Sequence, residues 1–143
     1  MKIKNKFYAG VLLRLLSSFI LLASLLILPK AQAAVGDIFT TGELRYTVLT
    51  EEPVSQTGKV SVGTASENIS GDVVIPASVV YGEINYSVTL LADSAFRECS
   101  KLTSIVIPDS VKSMGSEAFS DCSSLTNVTI GNSVTSFLFD AHF

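Results

Sequence analysis

The chain has 143 residues, 48% of them hydrophobic, and a formal net charge of −3. This length suits one small domain. Two cysteines and one histidine are too few ligands for a structural zinc site. The ten basic residues are not clustered, which argues against a nucleic-acid surface, because neutralising phosphates takes grouped Lys and Arg.

The first thirty-odd residues differ in kind from the rest. Lys2, Lys4 and Lys6 give a basic start, an uncharged apolar run extends from Leu15 to Leu28, and Pro29 ends it. Ala31-Gln32-Ala33 then places small residues at the two positions a signal peptidase reads. This is the pattern of a secretory signal peptide over 1–33, cleaved after Ala33. A membrane anchor is the competing reading, but a span takes about 20 apolar residues, and extending this run backward meets Arg14 at once. Cleavage removes five of the ten cations and none of the thirteen acids, which leaves a net charge of −8. No second hydrophobic segment follows, so no membrane span is expected after cleavage.

Residues 34–90 read as β-hairpins. Gly42-Glu43-Leu44-Arg45-Tyr46-Thr47-Val48 is echoed by Gly82-Glu83-Ile84-Asn85-Tyr86-Ser87-Val88, 40 residues on, and glycine followed by alternating residues is a hairpin signal. Glu51-Glu52-Pro53 and Gln56-Thr57-Gly58 read as turns. Between the two copies, Val73-Val74-Ile75-Pro76 resembles Ile105-Val106-Ile107-Pro108. These hairpins are expected to cap one end of the array that follows, because an uncapped end would expose core and strand edge.

Residues 91–143 are repetitive. The run from Ala95 to Ile107 aligns with Ala118 to Ile130 at an offset of 23, Ser110-Val111 aligns with Ser133-Val134, and Met114 with Phe137. Going backward, Ser87-Val88 precedes Ser110-Val111 by the same step, and Leu91 precedes Met114. Positions that agree are apolar or small. Those that vary are polar, such as Arg97 against Ser120 and Lys101 against Ser124. One such unit cannot bury its own apolar face, but stacked units share one core. Leu102, Ile105 and Ile107 form a short strand, as do Leu125, Val128 and Ile130, and successive strands should pair in parallel. Pro108 ends the first strand because it cannot donate to a ladder, and Gly131 holds the equivalent place. The fold expected is mainly β, a solenoid of about two 23-residue repeats with a hairpin cap.

The pattern A-F-x-x-C-x-x-L-T-x-[I/V]-x-I-[P/G]-x-S-V resembles the BspA-type leucine-rich repeat family, from roughly Ser87 to Phe137. The resemblance implies a curved solenoid with a parallel sheet on one face, surface display, and adhesion in bacteria and some protists. Toward the C-terminus the pattern changes: Ala141 keeps the spacing from Ala118, but His142 stands where Phe119 would recur and Leu138 where Gly115 would. No polar cap follows Phe137, Leu138, Phe139 and Phe143. Either the tail folds over the open end or the array is cut from a longer one, and the need of repeat arrays for a polar terminal unit favours the second.

Little catalytic chemistry is visible. Cys99 and Cys122 share one repeat position, which allows either a disulfide between rungs or two buried thiols. The second is favoured, since side chains on successive rungs run parallel rather than toward each other. His142 is the only histidine, and a chain terminus does not position a base. The acids are spread singly, and the glycines form no phosphate loop. No catalytic residue, metal or cofactor is expected. The function expected is an exported, non-catalytic interaction module of adhesion type. Its partner-facing residues would be Ser104, Val106, Asn127 and Thr129 on the strands, with Arg97, Glu98 and Lys101 on the adjoining loop, and the resemblance implies host-matrix or cell-surface partners. The alternative is a structural fragment that self-associates through its open C-terminal repeat.

Overall fold

The computed structural model describes residues 33–52 and 55–138. The signal-type segment before Ala33 lies outside them, as do Pro53, Val54, Phe139, Ala141, His142 and Phe143. Ten strands occur among the described residues, and no helix: β1 (Ile38–Thr41), β2 (Leu44–Glu52), β3 (Thr57–Thr64), β4 (Ser70–Val74), β5 (Ser78–Tyr81), β6 (Ile84–Leu91), β7 (Lys101–Ile107), β8 (Ser113–Met114), β9 (Asn127–Ile130) and β10 (Ser136–Phe137).

The 23-residue step becomes lateral neighbourhood. Strands β7 and β9 pair in parallel, with Ser104 beside Asn127 and Ile107 beside Ile130. Strands β8 and β10 pair in parallel one step apart, Met114 beside Phe137, and the end of β6 meets β8 with Leu91 beside Met114. Each turn of chain therefore contributes one strand to each of two sheets. One sheet is ordered β4-β7-β9; the other runs β1-β2-β3-β6-β8-β10, with β5 also on β6. Stacked parallel strands thus occur on two faces, not only on one.

The two glycine-led motifs form the hairpins read from them. Thr41 faces Leu44 and Tyr81 faces Ile84, so each loop has two residues. Gly42 and Gly82 lead these loops at φ of 60° and 65°, the left-handed region that glycine enters without a Cβ penalty. The two turns expected around 51–58 are corrected to one. Glu51 pairs with Gly58 and Glu52 with Thr57, so the reversal lies wholly between them. Gly58 serves packing instead, since a Cβ there would stand 2.6 Å from ring carbons of Tyr86.

The 34–90 segment is not hairpins alone. Strand β3 runs parallel to β6, and β4 runs parallel to β7. Val73-Val74 lies beside Ile105-Val106, an offset of 32 and not 23. The odd spacing from Leu102 to Ile105 is absorbed at Thr103, where the register slips: Gly71 faces Leu102 and Asp72 faces Ser104. An extra residue of this kind is a β-bulge, and it lets Leu102, Ile105 and Ile107 all point inward, each at most 1% exposed.

Inward residues form rows across the sheets. In the larger one, Phe39, Tyr46, Val62, Leu91, Met114 and Phe137 are successive lateral neighbours. The first five are buried. Phe39 also stacks on Tyr81, ring centroids 4.3 Å apart and nearly parallel, although β1 and β5 share no ladder. The sheet therefore curls until its first strand meets β5.

The corner between the sheets carries the repeated Ala-Phe pair. Phe96 and Phe119 stack with centroids 5.8 Å apart. Backbone hydrogen bonds from Ser94, Phe96 and Glu98 N–H groups to Ser116, Ala118 and Ser120 carbonyls tie the two corners together. Alternation is possible because Ser94, Glu98, Glu117 and Asp121 all take positive φ, between 51° and 63°. Left-handed backbone costs a non-glycine residue roughly 1–2 kcal/mol, which the inter-rung bonds offset.

Candidate functional site

The outward side of β4-β7-β9 is a small grid. The register sets Asp72, Ser104 and Asn127 in one row and Val74, Val106 and Thr129 in the next. Asp72, Val74, Asn127 and Thr129 are exposed; Ser104 and Val106, on the central strand, are half-buried. Of the seven residues expected to face a partner, Ser104, Val106, Asn127 and Thr129 share this face. Asp72 and Val74 were missed, because their strand sits 32 residues before β7 and so falls outside the repeat. The similarity of Val73–Pro76 to Ile105–Pro108 was the available signal. Asp72 is anchored by the Thr103 hydroxyl, which donates to its Oδ1 at 3.0 Å.

The other three lie where the chain approaches this face. Lys101 is the first residue of β7, beside Ser70, and not on a loop. Arg97 and Glu98 are on the corner, and the Arg97 guanidinium is shared between Glu98 at 3.4 Å and Glu117 at 2.5 Å. All three side chains are about half exposed, so solvent keeps these pairs weak, and their effect is to hold Arg97 over the next rung. A shallow cavity of about 430 Å³ lies on the same side, with Arg45, Ser66, Asn68, Ser94, Arg97 and Glu98 in its lining. Sequence reasoning did not bring Arg45 or the 64–68 loop to this corner, since the contact crosses about fifty residues of chain.

The thiols are not bonded to each other. Cys99 is buried, and Cys122, half-buried, donates to the Phe96 carbonyl at 2.9 Å. Burial, and next the neighbouring Cys122, pushes the Cys99 thiol from 9.0 up to about 11. Burial also raises Cys122, against a lowering contribution from the Cys99 backbone N–H. Neither is a ready thiolate at neutral pH. Tyr86 is fully buried, and its phenol is raised by burial first and by Glu51 second. No group of three or more His, Cys, Asp or Glu among the described residues is placed to hold a metal ion. No helix among them is long and apolar enough to cross a membrane.

A parallel β-stack advancing 23 residues per turn, with an apolar interior and a variable outside, is a leucine-rich-repeat solenoid. Residues 77–141 match the family model described as BspA type leucine rich repeat region (6 copies), and over this segment the chain belongs to that family. Strand β4 lies just outside the match. Solved structures agree on the fold. A leucine-rich repeat protein of Bacteroides capillosus is 25% identical, with 70% of each chain covered and a TM-score of 0.55. One from Bacteroides ovatus is 33% identical over 68% of this chain and 24% of its own, at 0.54. A leucine-rich cell surface protein of Faecalibacterium prausnitzii is 26% identical over 76% of this chain and 27% of its own, at 0.55. The chain thus spans about a quarter of the length of these last two. No sequence among the curated proteins matches it.

Proposed function

We propose that the chain is an exported, non-catalytic interaction module that binds a protein or cell-surface partner through the outer face of β4-β7-β9. The observation that carries this reading is the grid of Asp72, Ser104 and Asn127 beside Val74, Val106 and Thr129. It is a surface of mixed polarity whose side chains take no part in the core. Solenoids present such repeated outward positions for recognition. Arg97, Glu98 and Lys101 would add charge at its margin. Export is supported by the basic start, apolar run and Ala31-Gln32-Ala33 of the N-terminal segment. A similar protein of known structure carries the description of a cell surface protein, which supports display at or beyond the envelope. Cleavage after Ala33 would turn the Ala34 nitrogen, already 2.8 Å from Asp37 Oδ2, into an ammonium facing a carboxylate.

Magnitude limits the affinity. A specific interface takes about 20–30 residues a side, and the grid with its charged margin has fewer than half of that. Binding through this chain alone is therefore weak, and gains strength when several copies engage one surface. The test is adhesion of the protein, coupled multivalently to beads, to immobilised extracellular matrix and to intact epithelial cells. Val106→Lys and Thr129→Lys should each reduce retention strongly while leaving the thermal melt unchanged. Equal retention of folded variants and parent would reject this face.

A further inference from the structure

We propose that the open end of the stack, at β9 and β10, is a dimerisation surface on which a second copy of this chain docks about a two-fold axis. The inner row of the larger sheet is 0% exposed at Val62, Leu91 and Met114, then 54% exposed at Phe137. In the other sheet Ile107 is 1% exposed and its neighbour Ile130 is 38%. Leu138 is 48% exposed beside them. The opposite end of the larger sheet is closed: Phe39 is 8% exposed, under Tyr81. Among the described residues β9 and β10 are terminal strands, each with a single partner. An unpaired strand edge beside exposed apolar residues invites pairing with another chain.

Three features favour a copy of this chain as the occupant. First, two edge strands are held at a fixed separation by the rung between them. A lone foreign strand covers one, whereas a second copy presents the same two at the same separation. Second, the exposed rung, 116–138, has 23 residues, within the roughly 20–30 a side of a stable interface. Third, its only charges are Glu117 and Asp121, both on the corner before β9. A two-fold axis perpendicular to both sheets sets that corner against the partner's 131–135 corner, which carries no charge, so like charges stay apart. The closed far end prevents head-to-tail addition, so the assembly stops at two.

The pleat narrows the register. Val128 must face an inward residue and Thr129 an outward one, because opposed residues on antiparallel strands share a face. Thr129 therefore opposes either Thr129 or Asn127 of the second copy.

The experiment is sedimentation equilibrium of the full chain over a concentration series. The expected result is a monomer–dimer equilibrium with nothing larger. Ile130→Lys combined with Phe137→Lys should weaken dimerisation about tenfold or more, since burying an unpaired charge in an interface is costly. Val74→Lys, on the outer face of β4, should leave it unchanged. A monomer at every concentration, higher polymers, or a dimer indifferent to the double variant overturns the proposal. If the double variant does not fold, cross-linking decides: oxidation of Thr129→Cys alone, or of its mixture with Asn127→Cys, should give covalent dimers, and failure of both overturns it.

Discussion

Phe119→Ala and Phe137→Ala remove the same ring from two places in one stack, and they should not cost the same. Phe119 is 3% exposed and stacked on Phe96; Phe137 is 54% exposed in the terminal strand. A phenylalanine buries about 150–250 Å² when enclosed. At about 25 cal/mol per Å² the Phe119 ring is worth about 4–6 kcal/mol, in line with the roughly 3–5 kcal/mol measured for buried Phe→Ala changes. Phe137 keeps half of its surface in water, and fraying at a terminal strand lowers the loss further, to roughly 1–2 kcal/mol. A difference of about 2–3 kcal/mol moves a melting temperature by roughly 10–20 °C in a domain of this size. The assay is a thermal or urea melt of both variants beside the parent, at dilutions where the protein is monomeric. Should Phe119→Ala fail to fold, Phe119→Leu replaces it. Equal losses would refute the reasoning, because Phe137 would then be enclosed as well as Phe119 is.

Three other outcomes are expected. Stability should fall as pH rises from about 9 to 11: the unfolded Cys99 thiol ionises near 9.0 while the folded one holds its proton to about 11, so the unfolded state binds fewer protons across that window. Cys99→Ala should flatten this slope in urea melts taken at successive pH values. In the same protein at neutral pH, thiol labelling of both cysteines should be slow when folded and complete on unfolding; no labelling after unfolding would reveal a disulfide. Gly115→Ala should destabilise by about 1–3 kcal/mol, since a Cβ there would stand 2.5 Å from the backbone of Ala92 and Asp93; an unchanged melting temperature would mean the rungs can separate. Mass spectrometry of exported protein should find an N-terminus at Ala34, and an intact Met1 on membrane-bound material would contradict the signal-peptide reading.

The sequence alone determined the rung. Its 23-residue step, its inward Leu102, Ile105 and Ile107, its strand stop at Pro108 and the paired Phe96 and Phe119 were all legible, because a solenoid repeats one local solution and each unit meets only its neighbours. The two hairpins were legible for a similar reason, since Gly42 and Gly82 supply the left-handed turn residue a two-residue loop needs. Tertiary structure decided what non-repeating contacts govern. Strand β4 joins the sheet at an offset of 32, through a bulge at Thr103 that no fixed period predicts, and so adds Asp72 and Val74 to the outer face. The curl that seats Phe39 on Tyr81, and the approach of Arg45 to Arg97, close over some forty to fifty residues of chain. Such contacts depend on how the sheets twist and pack against each other, and periodicity along the chain carries no record of that.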